Sequence, residues 1–271
     1  MPFTEEQLTI SGRAGALTAV LHRADNARAA ALFCHPFAEE KKSSHRSFVD
    51  IARALAKEDI ASLRFDMTGC GDSAGDFGDA DISTWLADIR SAADELAKIY
   101  PEVPRVIIGM RLGATLAAAS SQQLKPDGLA LIEPVMNGGS YFSAELRRTL
   151  IKQMMTDGAS SSSRKELTEQ LERGEGKIDF DGYTITGALY SELIKLDLAQ
   201  MEIGTGKIFI MQISPTAKVS PPVQSLADRL SGAGAEAAAE ALAMPPVWNR
   251  IDAIDNAPLV EPIVRWVKEA F

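Results

Sequence analysis

The pentapeptide Gly109-Met110-Arg111-Leu112-Gly113 has the frame that presents a serine nucleophile at a sharp turn, yet its central residue is arginine. In the G-x-S-x-G pattern the turn joins a strand to a helix and lifts the nucleophile clear of both. The flanks here fit that context. Arg105-Val106-Ile107-Ile108 reads as a short buried strand, and Ala114 to Ala119 as a helix. The glycines permit a tight turn and a close approach of the helix to the sheet. A guanidinium, however, stays protonated at any ordinary pH and cannot attack a carbonyl. Arg111 therefore stands in the nucleophile position without being nucleophilic.

The remaining parts of a Ser-His-acid mechanism are missing as well. Such a mechanism on a strand-turn-helix scaffold runs in the order nucleophile, acid, histidine. The chain has three histidines, His22, His35 and His45, and all precede the turn. Before the last helix, where a histidine base belongs, the sequence reads Met244-Pro245-Pro246-Val247-Trp248-Asn249-Arg250-Ile251-Asp252. After the late strand Lys207 to Ile213 comes Ser214-Pro215-Thr216-Ala217-Lys218-Val219, which has no carboxylate. Gly71-Asp72-Ser73-Ala74-Gly75 matches G-x-S-x-G to the letter, but an acidic, glycine-rich loop follows it instead of an apolar helix. Ser73 thus lacks the turn that would make it reactive. Cys34, at a strand end, reads as a small apolar residue, and His45, in a charged run, as a solvated one. His22, Asp25 and Asp50 have no metal-ligand spacing, and neither metal nor cofactor is expected.

The elements that must position these residues follow a regular rhythm. An opening hairpin spans residues 6–22. Strands are expected at Ala29–Cys34, Ala61–Asp66 and Gly128–Glu133, and helices at Ser47–Lys57 and Ile82–Ile99. Short apolar strands alternating with helices predict a mostly parallel central sheet covered by helices on both faces. The rhythm breaks between about residues 137 and 203. There a helix over Ala144–Met155, the tract Ser160 to Ser163, a helix over Lys165–Glu172 and a hairpin around Asp181-Gly182 suggest an inserted cap. Residues 1–136 and 204–271 would then form the core. Beyond Lys207 a helix is expected over Val223–Leu230 and another over Val260–Ala270. Ala235 to Leu242 fits either a strand or a helix.

Composition narrows the function classes. At 271 residues the chain can bury a sizeable core. A net charge of −9 argues against nucleic acid or an anionic membrane as the bulk partner. The two cysteines supply no disulfide framework. With no basic start, no signal-like run and no stretch of membrane-spanning length, a cytoplasmic location is expected.

Taken together, the chain resembles the α/β-hydrolase superfamily over nearly its full length. More narrowly, it resembles the exosortase-A-system-associated hydrolases (second ortholog type) of bacteria with PEP-CTERM export systems. The residues that carry this are His35-Pro36-Phe37-Ala38-Glu39-Glu40, the stretch Asp66 to Asp79, Arg111-Leu112-Gly113-Ala114 and Gly182-Tyr183. The resemblance makes Arg111 a trait of the subgroup and implies an export or polysaccharide system, with a possible protein partner there. It also implies that the backbone N–H groups of Leu112 and Phe37 occupy the oxyanion-hole positions. Pro36 has no N–H to give. His35 would be mainly architectural.

Three functional readings follow. Arg111, beside a helix N-terminus, could hold a small anionic or acyl-bearing ligand beneath the cap, with Phe37, Leu112, Glu40, Met110 and Trp248 around it. Alternatively, water activated by Glu133, Glu40 or His35 could hydrolyse an ester. In the third reading the pocket is vestigial and Arg111 is neutralised internally, first by Glu133, otherwise by Glu39 or Glu40. A buried charge must be paired in any of them.

Overall fold

The computed structural model describes residues 4–157, 163–174, 176–204, 206–249 and 255–271. The opening hairpin pairs β1 (Thr4–Ser11) with β2 (Ala16–Arg23) antiparallel. There follow β3 (Ala29–Cys34), α1 (Glu39–Lys57), β4 (Ile60–Phe65), a 3-10 turn at Phe77–Asp79, and α2 (Ile82–Ile99). Next come β5 (Arg105–Met110), α3 (Leu112–Leu124) and β6 (Gly128–Ile132). The strands β3, β4 and β6 are buried at every position, as strands covered on both faces should be, and β4 buries Ser62 and Arg64 along with its apolar residues. Helix α2 starts at the expected residue, and Asp81 before it accepts a hydrogen bond from the Thr84 N–H, an ordinary N-cap.

Between β6 and the next core strand the chain makes α4 (Gly138–Asp157), α5 (Arg164–Glu172), a separate hairpin of β7 (Lys177–Phe180) and β8 (Tyr183–Thr186), and α6 (Gly187–Leu193). The hairpin turns at Asp181 and Gly182, both with positive φ. Ser163 caps α5, whereas Ser160 to Ser162 lie outside the described residues. Helix α6 had no expectation from the sequence. The core resumes with β9 (Lys207–Ile213), α7 (Pro221–Gly232), β10 (Glu236–Leu242), a 3-10 turn at Val247–Asn249, and α8 (Ala257–Ala270).

Eight strands form one sheet in the order β1-β2-β4-β3-β5-β6-β9-β10. The pairs from β4 through β10 are parallel, and β2 joins β4 antiparallel. Side chains alternate across it. Ala30, Leu32 and Cys34 point into the core shared with α2, α3 and α7, while Ala29, Ala31 and Phe33 point into the core shared with α1 and α8. Strand order reverses between β3 and β5: β3 connects outward to β4 through α1, and β5 connects the other way to β6 through α3. At such a switch point the connections diverge and leave a crevice beyond the carboxyl ends of the strands. The ends meeting there are His35 to Glu40 after β3 and Arg111 after β5.

Helix α1 begins at Glu39, eight residues before the expected start at Ser47. The charged run Lys41 to Arg46 hid the first two turns, because its apolar positions are replaced by buried Glu40 and Ser44. That extension brings the first turn of α1 to the crevice.

Candidate functional site

Arg111 sits on the turn with φ 55° and ψ −125°, in a region that side chains other than glycine rarely enter. The conformation is held from both sides. The Arg111 N–H donates to the Ile132 carbonyl at 2.9 Å, and the Arg111 carbonyl accepts from the Ala114 N–H at 3.1 Å. Gly113 is required there for space, since a Cβ would lie 2.2 Å from the Cys34 carbonyl oxygen and 2.3 Å from that of His35. Ala38 (φ 48°), ending the β3 loop, and Glu133 (φ 42°), ending β6, share the positive φ. Three strained non-glycine residues thus rim one crevice, the kind of clustering that marks functional sites.

The guanidinium is engaged on one side. Arg111 Nε donates to Glu40 Oε1 at 3.0 Å, and the Tyr141 hydroxyl donates to Glu40 Oε2 at 2.8 Å. Glu40 keeps 2 % of its side-chain surface exposed and Arg111 keeps 15 %. The guanidinium carbon also lies over two rings, 5.3 Å from the Tyr141 centroid and 4.7 Å from that of Trp248. Such contacts favour a desolvated cation. Burial works against the charge on Arg111, but Glu40 and its neighbours prevail and hold its pKa above the ordinary value. Its Nη atoms have no hydrogen-bond partner among the described residues. Trp248 comes from the segment before the last helix, the stretch in which a histidine base was sought, and its indole lies against Arg111.

Glu133 does not form the ion pair with Arg111. Its Oε2 instead accepts the Ile213 N–H at 2.7 Å and ties the end of β6 to the end of β9. Burial raises its pKa, while that hydrogen bond and Arg111 pull the other way. Glu145 and Arg148, unforeseen from the sequence, complete the surroundings. Glu145 is buried on α4 and paired with Arg148, and Arg148 also donates to the Asn249 side chain beside Trp248. Burial and then Glu40 raise the Glu145 pKa. The signal for these residues was the spacing Tyr141, Glu145, Arg148, which places all three on one face of a helix.

The other candidates separate clearly. His35 is buried against Phe48, 4.9 Å between centroids, and its Nδ1 has no partner. Burial, then Lys41, holds it neutral. Met110 is fully buried in the core with α1 and α8 and offers a ligand no surface, because strand alternation turns it away from the crevice. Ser73 donates to the Asp66 carbonyl at 2.6 Å and accepts from the Thr18 N–H at 2.9 Å, which makes it a loop brace. Burial pushes the Cys34 thiol far up, leaving it inert. Among the described residues no group of His, Cys, Asp or Glu could hold a metal ion.

The Phe37 ring is packed edge-on against Phe77, Trp85, Tyr141 and Phe180 at centroid distances of 5.5 to 6.3 Å. A cavity lined by His35, Phe37, Cys70, Trp85 and Leu112 has only about 10 Å³ open to a water-sized sphere, room for one water at most. That cavity, lined in part by the aromatic side chains of Phe37 and Trp85, is too small for an acyl chain.

This sheet, its switch-point crevice and the strand-turn-helix at Arg111 define an α/β-hydrolase fold. A serine hydrolase of Xanthomonas campestris described as lacking a lid matches 99 % of this chain and 96 % of its own at 19 % identity, with a TM-score of 0.60. The esterase Est1E of Butyrivibrio proteoclasticus, solved with ferulic acid bound, matches 97 % of this chain and 96 % of its own at 16 % identity and TM-score 0.64. A thermostable carboxyl esterase of Bacillus coagulans, in complex with glycerol, matches 100 % and 99 % at 15 % identity and TM-score 0.64. No curated protein matches the sequence. Residues 25–175, more than half of the chain, match the model of the serine aminopeptidase S33 family, and the chain belongs to that family.

Proposed function

We propose that this α/β-hydrolase-fold protein has exchanged the Ser-His-acid machinery for an anion site, and that it binds a small anionic or acyl-bearing ligand beneath a cap formed by residues 137–203. One observation carries the reading: Arg111 spends Nε on Glu40, while its Nη atoms have no partner among the described residues, in a side chain that keeps 15 % of its surface exposed. A guanidinium fork with free donors, next to the first turn of α3, favours an anion. The contact of Trp248 with Arg111 supports binding over hydrolysis, since no histidine stands beside the turn among the described residues. The chain's resemblance to exosortase-system hydrolases supports a ligand, or a protein partner, from an export or polysaccharide system.

A second reading, a hydrolase with displaced machinery, draws on Glu133. One of its oxygens is held by Ile213, and burial raises its pKa toward the range useful to a general base. A panel of short- and medium-chain nitrophenyl esters decides between the two, run with Arg111→Ala, Glu133→Gln and His35→Ala. The anion-site reading expects no turnover above background in any of them, together with anion-induced thermal stabilisation of the wild type that Arg111→Ala loses. Turnover abolished by Glu133→Gln alone would establish the displaced hydrolase instead.

A further inference from the structure

We infer that the anion received by Arg111 is a monocarboxylate, the free acid form of an acyl group, and that the neutral ester of the same acid is rejected. The inference rests on the anion-site reading above and gives that site its ligand class. With Nε committed to Glu40 at 3.0 Å, the donors left on Arg111 are those on Nη1 and Nη2. Together they present two nearly parallel N–H groups in the guanidinium plane, a spacing that matches the two oxygens of a carboxylate.

Shape and charge then point the same way. The guanidinium carbon lies 5.3 Å and 4.7 Å from the Tyr141 and Trp248 centroids, so the two rings crowd the space a ligand must share with the Nη donors. A carboxylate keeps both oxygens in the guanidinium plane. A tetrahedral sulfonate or phosphate carries further oxygens out of that plane and needs more room beside the two rings. The charge available is also small. Glu40 already offsets Arg111, and Glu133 and Glu145 both act on it or beside it. A second negative charge doubles the attraction to Arg111 and the repulsion from these carboxylates alike, and because the carboxylates outnumber the guanidinium the balance turns against a dianion. An ester has no charge for the guanidinium, and its alkoxy substituent covers one of the two oxygens that the fork would hold. The elbow of an esterase-like fold would thus recognise the acid that ester hydrolysis releases.

Calorimetric titration of the wild-type protein at neutral pH and constant ionic strength tests this with butyrate, methyl butyrate, butanesulfonate and inorganic phosphate. The expected result is saturable butyrate binding, with the other three weaker by at least about tenfold. Equal or tighter binding of butanesulfonate or phosphate would overturn the carboxylate assignment and leave the anion site standing. Equal binding of methyl butyrate, or no binding by any probe, would overturn the assignment and the anion-site reading together. Arg111→Lys keeps the charge but loses the fork, and it should bind butyrate no better than butanesulfonate. A preference that persists in that variant would show that the fork is not the reader. If Arg111→Lys does not fold, the wild-type series decides alone.

Discussion

Arg111 survives in the crevice because Glu40 neutralises it and two aromatic rings replace part of its water. Removing the partner charge should therefore cost more than any hydrogen bond it leaves behind. Glu40→Gln retains one acceptor oxygen for Arg111 Nε, and its amide N–H can donate to the Tyr141 hydroxyl oxygen, yet it strips the counter-charge. It should lower stability by about 3 kcal/mol in urea denaturation, the lower end for breaking a buried pair, since Arg111 keeps some contact with solvent. The double variant Glu40→Gln/Arg111→Met should recover most of that loss, because it removes both charges together. Equal destabilisation by the single and double variants would mean that the pair is not what holds this corner. Arg111→Ser, which restores the spelling of the nucleophile motif, should still show no ester turnover above background. The hydroxyl would face Trp248 and Glu40, with no imidazole to take its proton.

At the scale of elements, the site depends on how closely α3 seats against β3. Gly113 has the Cys34 and His35 carbonyls where a Cβ would stand, and backbone atoms cannot yield as a flexible side chain can. Gly113→Ala should therefore displace the start of α3 and cost about 3 kcal/mol, at the upper end of overpacking effects. Gly232, the last residue of α7, has nothing within 4 Å of a built Cβ. Gly232→Ala should be neutral or stabilising by about 0.5 kcal/mol, through the unfolded chain. Thermal midpoints of the two variants compared side by side separate packing from glycine's backbone freedom. If both fell equally, the close seating of α3 would not be the cause.

Across the whole molecule, stability should fall on mild acidification, and the cause lies far from the crevice. Arg64 Nε donates to His22 Nε2 at 3.0 Å, which requires an unprotonated ring nitrogen. Burial, and then Arg64, lower the His22 pKa from its ordinary 6.5 to about 4. Between those values the unfolded chain binds a proton that the folded one refuses, so stability is lost as pH drops through this window. For this residue alone the loss reaches about 3 kcal/mol at the low end. Burial raises the pKa of Glu133, Glu145 and Asp88 and so favours their protonated forms in the fold. These act in the opposite sense, stabilising the fold as pH falls toward the ordinary carboxylate range. Denaturation across the pH range in His22→Gln, whose amide oxygen can still accept from Arg64, isolates the histidine. Its profile should be flatter than that of the wild type on the acid side, and a parallel profile would refute the assignment.

Much of the fold was written locally. Short apolar runs marked β3 to β6, Asp181-Gly182 marked the hairpin, and the lack of a serine in the pentapeptide or a histidine after it was visible at once. These signals reach only a few residues along the chain, as periodicity, capping and turn chemistry do. Ala235 to Leu242 had no such signal. It became a strand through pairing with β9, which turns Ala237 and Ala239 inward and leaves Glu236 and Glu240 exposed. The partner of Arg111 was beyond local reach for the same reason. Glu133 lies at the end of the neighbouring strand, but Glu40, 71 residues away in sequence, is the one that meets the guanidinium. The reversal of strand order between β3 and β5 brings the first turn of α1 against the elbow, and the loops before α4 and α8 bring Tyr141 and Trp248 over it. Sequence chose the residue types; the distances among them exist only once the sheet has closed on its helices.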